Sequence, residues 1–514
     1  MVEAKLVAKP NKFEGEITVS SMIIDQLSSG LYENPAACLK ELVNNSFDAD
    51  ATRVTMSVRP DADLIIIEDD GTGFSANDFK RHFARIARSY KREDADTTPS
   101  GRPKIGKIGI GFIAANEICE RLEIISTVAG STQLMSVTLD FDKMRLNAQD
   151  RARENDAIAK GDYYGELSED AELSDHFTRI YLRDVRETTR DVLDGARRGK
   201  GSSSLYGLSE ESVRDRLARP SLTSWSEFDL YSQTVLEIAL NVPVGYHQGW
   251  AAAGSNPTMR KIQSDVDALN FELVIDGTPQ KKPTVFRPDD GRILTREIRL
   301  EGDGVSARGY LFAYDHKLHP TDINGLLVRI RNAAVGKYDS TYLEYPGWQA
   351  ALFQDWVSGE VYVDDRLEDA LNIDRRTFRT THPAYVELQR MLHEELRSFF
   401  AEARRVLYGK RSEEKKLERA IKEATEVSSI SSRLGNTPSP PPRSTPEIPP
   451  LDTAKLSPSL VPNQTLDSAE IRKLTATYRP SEVIALVEAA ATKVGLTRAQ
   501  ISSLVSEVVE SMGL

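Results

Sequence analysis

Cysteine is almost missing from this 514-residue chain, which holds only Cys38 and Cys119. Two thiols can build neither a disulfide framework nor a cysteine zinc site, so a reducing compartment and a cytoplasmic location are expected. Long apolar runs are missing as well. None approaches the roughly 20 residues that cross a bilayer. The opening MVEAKLVAKP also lacks the apolar core of a secretion signal. Membrane and secreted classes are therefore not expected. A basic surplus is lacking too: 66 Lys and Arg stand against 78 Asp and Glu, a net charge of −12, so contact with nucleic acid would need a local patch. Histidine is sparse and scattered, and His316 and His319 in HKLH have no third ligand, which reads as a surface turn. Trp225, Trp250, Trp348 and Trp356 have no interleaved basic residues of the kind a base-stacking platform uses.

What is present is ordinary globular composition, 40% hydrophobic and 28% charged, enough for two or three cored domains. The pattern predicts a helix over 32–48, strands at 53–58 and 63–68, a helix over 76–90, a helix opening near Gly111, and strands at 121–128 and 178–182. That mixture predicts an α+β domain with a mixed sheet over 21–222, in which the polar 150–175 segment is a surface excursion and 183–219 a helical connector. A second α+β domain is expected over 223–410, with strands at 273–277, 309–315, 325–332 and 359–365 before a helix at about 383–425. A charged helix (411–433), a Pro-rich linker (434–465) and a small helical domain (466–514) complete the expected order. Residues 437–462 carry nine of the 24 prolines, too many to bury a core. In the tail Gly495 can end one helix, and Thr497 with Gln500 forms a capping box for the next.

Three short blocks carry chemistry. The first is Glu41-Leu-Val-Asn-Asn45-Ser-Phe-Asp48-Ala49, on a helix that Asn34-Pro35 can start. Glu41, Asn45 and Asp48 fall within roughly 60° of one another at about 100° per residue, opposite Ala36, Leu39, Leu42, Val43 and Phe47. Such an oxygen-rich stripe suits Mg²⁺ with retained waters, and a carboxylate beside it can deprotonate water; the plain alternative is a solvated polar face. The second block, Leu64-Ile-Ile-Ile-Glu-Asp69-Asp70-Gly71-Thr72-Gly73, delivers an acidic pair from a buried strand into a glycine turn. The third, Gly106-Lys107-Ile108-Gly109-Ile110-Gly111-Phe112, puts three glycines at a helix start, where free N–H groups favour anions. Two overlapping patterns fail. Ile108 stands where a P-loop needs Ser or Thr, and no long buried strand precedes Gly109 as a dinucleotide fingerprint requires.

In this order and spacing the blocks resemble the GHKL ATPases, a superfamily of gyrase subunits, ninety-kilodalton heat-shock chaperones, histidine kinases and MutL proteins, with the heat-shock and microrchidia (MORC) branches nearest. The resemblance implies a Bergerat-type ATP-binding α/β sandwich, with a mixed sheet under helices, followed by an S5-like α+β transducer. It implies ATP and Mg²⁺ as cofactors. Glu41 would be the general base, Asn45 the Mg²⁺ ligand, Asp48 part of the same box, and Asp69 the acceptor of the adenine amine. Gly71 and Gly73 would form the first glycine box; Gly106, Lys107, Ile108, Gly109, Ile110, Gly111 and Phe112 would hold the triphosphate. Thr178 resembles the threonine that backs the adenine-binding Asp. The basic segment 80–107 would be a lid, with Lys91 on phosphate. Leu371-Asn-Ile-Asp-Arg375-Arg376 resembles the chaperones' arginine stretch and implies Arg375, ahead of Arg376, as the γ-phosphate sensor, with Lys337 its rival.

The implied function is an ATP-driven homodimeric clamp on a protein client, with residues 1–20 exchanged between protomers and DNA a lesser candidate for partner. A nucleotide-gated scaffold that recruits partners through its tail is the alternative.

Overall fold

The computed structural model describes residues 34–59, 63–80, 97–106, 111–141, 163–194, 203–250, 256–285, 293–302, 304–347, 349–372, 375–409 and much of 484–512. Two compact units, Met1–Ala403 and Arg404–Leu514, are taken in turn.

The first unit contains an eight-stranded sheet of order β5-β4-β3-β6-β2-β1-β7-β8. Its strands are β1 (Arg53–Arg59), β2 (Leu64–Asp69), β3 (Cys119–Thr127), β4 (Leu134–Asp140), β5 (Tyr163–Ser168), β6 (Phe177–Val185), β7 (Glu272–Ile275) and β8 (Thr278–Pro279). All neighbours run antiparallel except β1 and β7. One face is apolar and buried under helix α1 (Pro35–Asp48), as period-two alternation allows. The other face is half-exposed and laced with ion pairs: Glu68–Arg179 at 2.6 Å and Glu123–Arg183 at 2.7 Å. Asn34 caps α1 by accepting the Ala37 N–H at 2.9 Å, with Pro35 in the first turn.

Several expectations change here. The strand expected at 273–277 to open the second domain instead pairs with β1 and extends the first sheet. Its apolar run made it legible as a strand, but partner choice lies in the crossover, not in the segment. The polar 150–175 stretch, expected as a surface excursion, supplies edge strand β5, whose exposed residues need no apolar pattern. In the connector, helices α2 (Glu187–Leu193) and α3 (Glu210–Leu217) form as expected. The expected 76–90 helix has its first turn at Ala76–Asp78, capped by Ser75; residues 81–96 lie outside those described. The helix expected from Gly111 is a 3-10 segment, Gly111–Glu117.

A second, five-stranded sheet follows, order β12-β11-β13-β10-β9, made of β9 (Ile293–Gly302), β10 (Val305–Tyr314), β11 (Gly325–Ile330), β12 (Ala333–Asp339) and β13 (Val357–Val363). Helices α5 (Pro257–Asp267) and α6 (Pro383–Ala403) pack against it. Helix α4 (Leu230–Asn241) lies between the two cores. Tyr231, Val235 and Ile238 enter the first core, and Leu236 and Leu240 enter the second. Arg329, paired with Glu360 in full burial, donates to the Leu240 carbonyl at 2.9 Å and so places a cation at the negative end of α4.

The second unit has one long described helix, α7 (Arg498–Met512). The Gln500 half of the expected box is present: Gln500 Oε1 accepts from the Thr497 N–H (2.9 Å), and the Thr497 hydroxyl donates to the same oxygen (2.7 Å), just after Gly495 at φ +81°. Ile484, Ala491, Ile501 and Val505 form its small core. The expected 1–20 segment, charged helix and Pro-rich linker lie outside the described residues.

Candidate functional site

The site starts from the alternation of β2. Ile65, Ile67 and Asp69 share its buried face, whereas Glu68 turns to the ion-paired face. An acid at the end of a hydrophobic strand is thereby driven into the core rim, 5% exposed, beneath α1. There the Ser46 hydroxyl donates to Asp69 Oδ2 at 2.6 Å and the Gly71 N–H to Oδ1 at 3.0 Å. Burial outweighs those hydrogen bonds and pushes the Asp69 carboxyl from 3.8 up to about 6. Thr178 stands opposite Asp69 in the β2–β6 ladder, and its hydroxyl lies 3.3 Å from Ser126 Oγ. Asp70 is exposed and closes the turn by accepting the Thr52 and Arg53 N–H groups at 2.7 and 2.8 Å.

The glycine turn passes close to the neighbouring backbone. Gly73 has φ +64°, and a Cβ there would stand 1.8 Å from the Thr127 carbonyl oxygen. Gly73→Ala is expected to destabilise the protein by about 3 kcal/mol or more, from the clash and the left-handed backbone together. Thermal unfolding checks this, and an unchanged midpoint would refute the close approach. Gly71 lends its carbonyl to His176 Nδ1 at 2.8 Å.

On α1, Glu41 and Asn45 are half-buried on one side, and the expected apolar residues are buried on the other. Asp48 has a different task from the open stripe expected of it. It is buried, and its carboxylate accepts the Ile105 N–H at 2.6 Å and the Gly106 N–H at 2.8 Å. The first block thus anchors the start of the third. Arg331 holds the same loop from the second sheet: it donates to the Lys104 carbonyl and pairs with Asp365 at 2.9 and 3.0 Å. Arg331 and Asn332 make the two-residue β11–β12 turn with φ +52° and +69°, which aims the guanidinium at that loop.

Lys91, Lys107, Ile108, Gly109 and Ile110 lie outside the described residues; Gly111 and Phe112 open the 3-10 segment. Lys337, on β12, is 63% exposed and 3.3 Å from Glu237 on α4. Arg375, at φ +52°, pairs with Glu368 of its own loop, while Arg376 reaches Glu237 at 3.5 Å. Lys40, buried beside Glu41, Glu237, Arg375 and Arg376, has its ammonium pKa lowered chiefly by burial. No group of three His, Cys, Asp or Glu able to hold a metal occurs among the described residues. Likewise none of their helices is long and apolar enough to cross a membrane.

Ser46, His176, Arg331 and Glu237 were missed by sequence reasoning. Ser46 left a faint signal as a hydroxyl on the buried side of an amphipathic helix; the other three left none, since the contacts that tie them to the site (His176–Gly71, Arg331–Lys104, Glu237–Arg376) span 100 or more residues.

Residues 32–171 match the model of the family described as histidine kinase-, DNA gyrase B- and HSP90-like ATPase. Among individual relatives, "Putative type II restriction enzyme HgiDII" of Herpetosiphon aurantiacus is 25% identical over 389 residues, 73% of this chain and 53% of the relative. The chaperone protein HtpG of Mesorhizobium japonicum is 28% identical over 142 residues, 24% of this chain and 22% of that one. HtpG of a Methylobacterium species is 32% identical over 133 residues, 22% of each. The chain therefore spans 53% of the first relative's length and 22% of each chaperone's.

Proposed function

From the premise that residues 32–171 form an ATPase module of the GHKL superfamily, we propose that the protein hydrolyses ATP to ADP and phosphate and uses that cycle to close and reopen a homodimeric clamp. Asp69 accepts from the adenine amine, and the backbone N–H groups of residues 107–112 hold the triphosphate, the Gly106 N–H being taken by Asp48. Glu41 takes the proton of the attacking water. Asn45, a neutral oxygen donor beside Glu41, fits a Mg²⁺ ion that keeps most of its waters; the ion would supply charge neutralisation between the phosphates. Lys337 and the Arg375–Arg376 loop provide cations for the γ-phosphate, with Lys91 a further one from the lid.

The observation that carries this reading is the buried, locally fixed carboxylate of Asp69 beneath the helix that presents Glu41 and Asn45. A carboxylate held there with a raised pKa is unfavourable by itself and is relieved by a ligand that donates to it. Phosphate release from purified protein with Mg-ATP, beside size-exclusion on a non-hydrolysable analogue, tests the proposal. Turnover with an analogue-dependent dimer is expected. ATP binding without turnover would leave the nucleotide-gated scaffold instead.

For the client, DNA, the lesser candidate on sequence alone, is here preferred to a protein. The alignment with the relative named as a restriction enzyme extends over 73% of this chain, whereas the first two chaperone alignments cover 24% and 22%. Duplex binding that weakens steeply with salt is the expected result, and salt-insensitive binding would count against it.

A further inference from the structure

One carboxylate gathers groups from three other parts of the fold. Glu237 Oε1 and Oε2 accept from the Asn34 amide at 3.2 and 3.3 Å, Lys337 Nζ lies 3.3 Å from Oε2, and Arg376 lies 3.5 Å from Oε1. Asn34 is the cap of α1, Lys337 lies on β12, and Arg376 follows the Leu371-Asn372 stretch. Glu237 itself is on the helix shared by both cores, with its side chain 18% exposed. The two cation-bearing segments are brought together by backbone: Gly336 has φ +70°, and a Cβ on it would stand 2.5 Å from the Arg376 carbonyl oxygen. Asn34 is the extended cap just before α1, and Lys40, the neighbour of Glu41 on that helix, feels the charges of Glu41, Glu237 and Arg376 together. The Glu237 cluster therefore lies near the part of α1 that carries Glu41.

We propose that Glu237 is a positioning residue that holds Lys337 and Arg376 beside the site until a γ-phosphate displaces it as their counter-charge. This inference rests on the ATPase reading and goes beyond it, assigning a role to an acid outside the three sequence blocks. A carboxylate and a terminal phosphate compete for the same two cations. The exchange is open to Lys337 because its long, half-free side chain can swing without backbone movement, and open to Arg376 through its fork of donors. The Asn34 amide keeps the Glu237 carboxylate in place when the cations leave. The device answers to triphosphate and not to diphosphate, since only the former brings the competing anion.

Glu237→Gln tests this, because glutamine still accepts from Asn34 while the charge is gone. Calorimetry with full-length protein would compare a non-hydrolysable ATP analogue with ADP. The expected result is about fivefold tighter analogue binding and unchanged ADP binding, in line with the modest worth of partly exposed ion pairs. In a Lys337→Met background the gain from Glu237→Gln should shrink at least by half, as coupled neighbours do in a double-mutant cycle. Equal shifts for analogue and ADP, or a gain indifferent to Lys337, would overturn the proposal. If Glu237→Gln fails to fold, Lys337→Met alone decides: it should lose preference for analogue over ADP, and unaltered preference would refute the exchange. Wild type that binds neither nucleotide would overturn the ATPase reading, and this inference with it; wild type that binds both while the variants are indifferent overturns the inference alone.

Discussion

Asp69→Asn is expected to weaken ATP binding about 100-fold and, at the same time, to make the nucleotide-free protein more stable, the loss corresponding to roughly 3 kcal/mol for a charged hydrogen bond in a buried site. The two effects have one cause. Asp69 is buried, and its pKa rises from 3.8 to about 6. At 1.36 kcal/mol per unit, the ionised side chain costs the empty fold about 3 kcal/mol at neutral pH. A raised folded-state pKa contributes stability below 3.8 that is lost as pH rises through 6, so wild type carries the full cost at pH 7 to 8. The variant's advantage in thermal midpoint should be largest there and vanish near pH 4. For the same reason ATP affinity of wild type should fall as pH drops through 6, and binding at pH 6 should release protons, since a donated hydrogen bond favours the ionised acid. Calorimetry in two buffers of different ionisation enthalpy measures that release. Intact affinity in Asp69→Asn, or proton uptake by wild type, would remove Asp69 from the adenine role.

Glu41→Ala should cut phosphate release about 100-fold or more while ATP binding stays within about threefold, the size expected for losing a general base. Glu41 is half-buried on the polar side of α1 and the apolar side makes the packing, so the fold should be little affected. Binding without turnover would trap the triphosphate state, and the variant should form on ATP itself the dimer that wild type forms on the analogue. Glu41→Gln should behave alike, because the amide keeps the shape but takes no proton. Undiminished turnover in both variants would place the base elsewhere. A loss of binding equal to the loss of rate would make Glu41 a ligand-holding residue instead.

Much of this molecule was legible one segment at a time. The period of α1, its Asn34-Pro35 start, the alternation of β2 and the Thr497–Gln500 cap are consequences of local backbone geometry, and short stretches of sequence suffice to imply them. Glu41, Asn45, Asp69 and the glycines could be singled out because their placement depends on spacing within a helix, a strand or a turn. Tertiary structure decided what spacing does not encode. Strand β7 joins β1 because hydrogen-bond pairing is settled by the path of the whole chain; its apolar run fits either sheet. Asp48 belongs to Ile105 and Gly106 rather than to an open stripe, since only folding brings those N–H groups to it. Asp69's acidity depends on how deeply α1 covers it. Lys337 and Arg376 share one acid 100 and 139 residues before them, since Glu237 lies on the helix packed against both cores. Local chemistry was written in the sequence; counter-charges and burial were assigned by packing, because both depend on distance in space rather than along the chain.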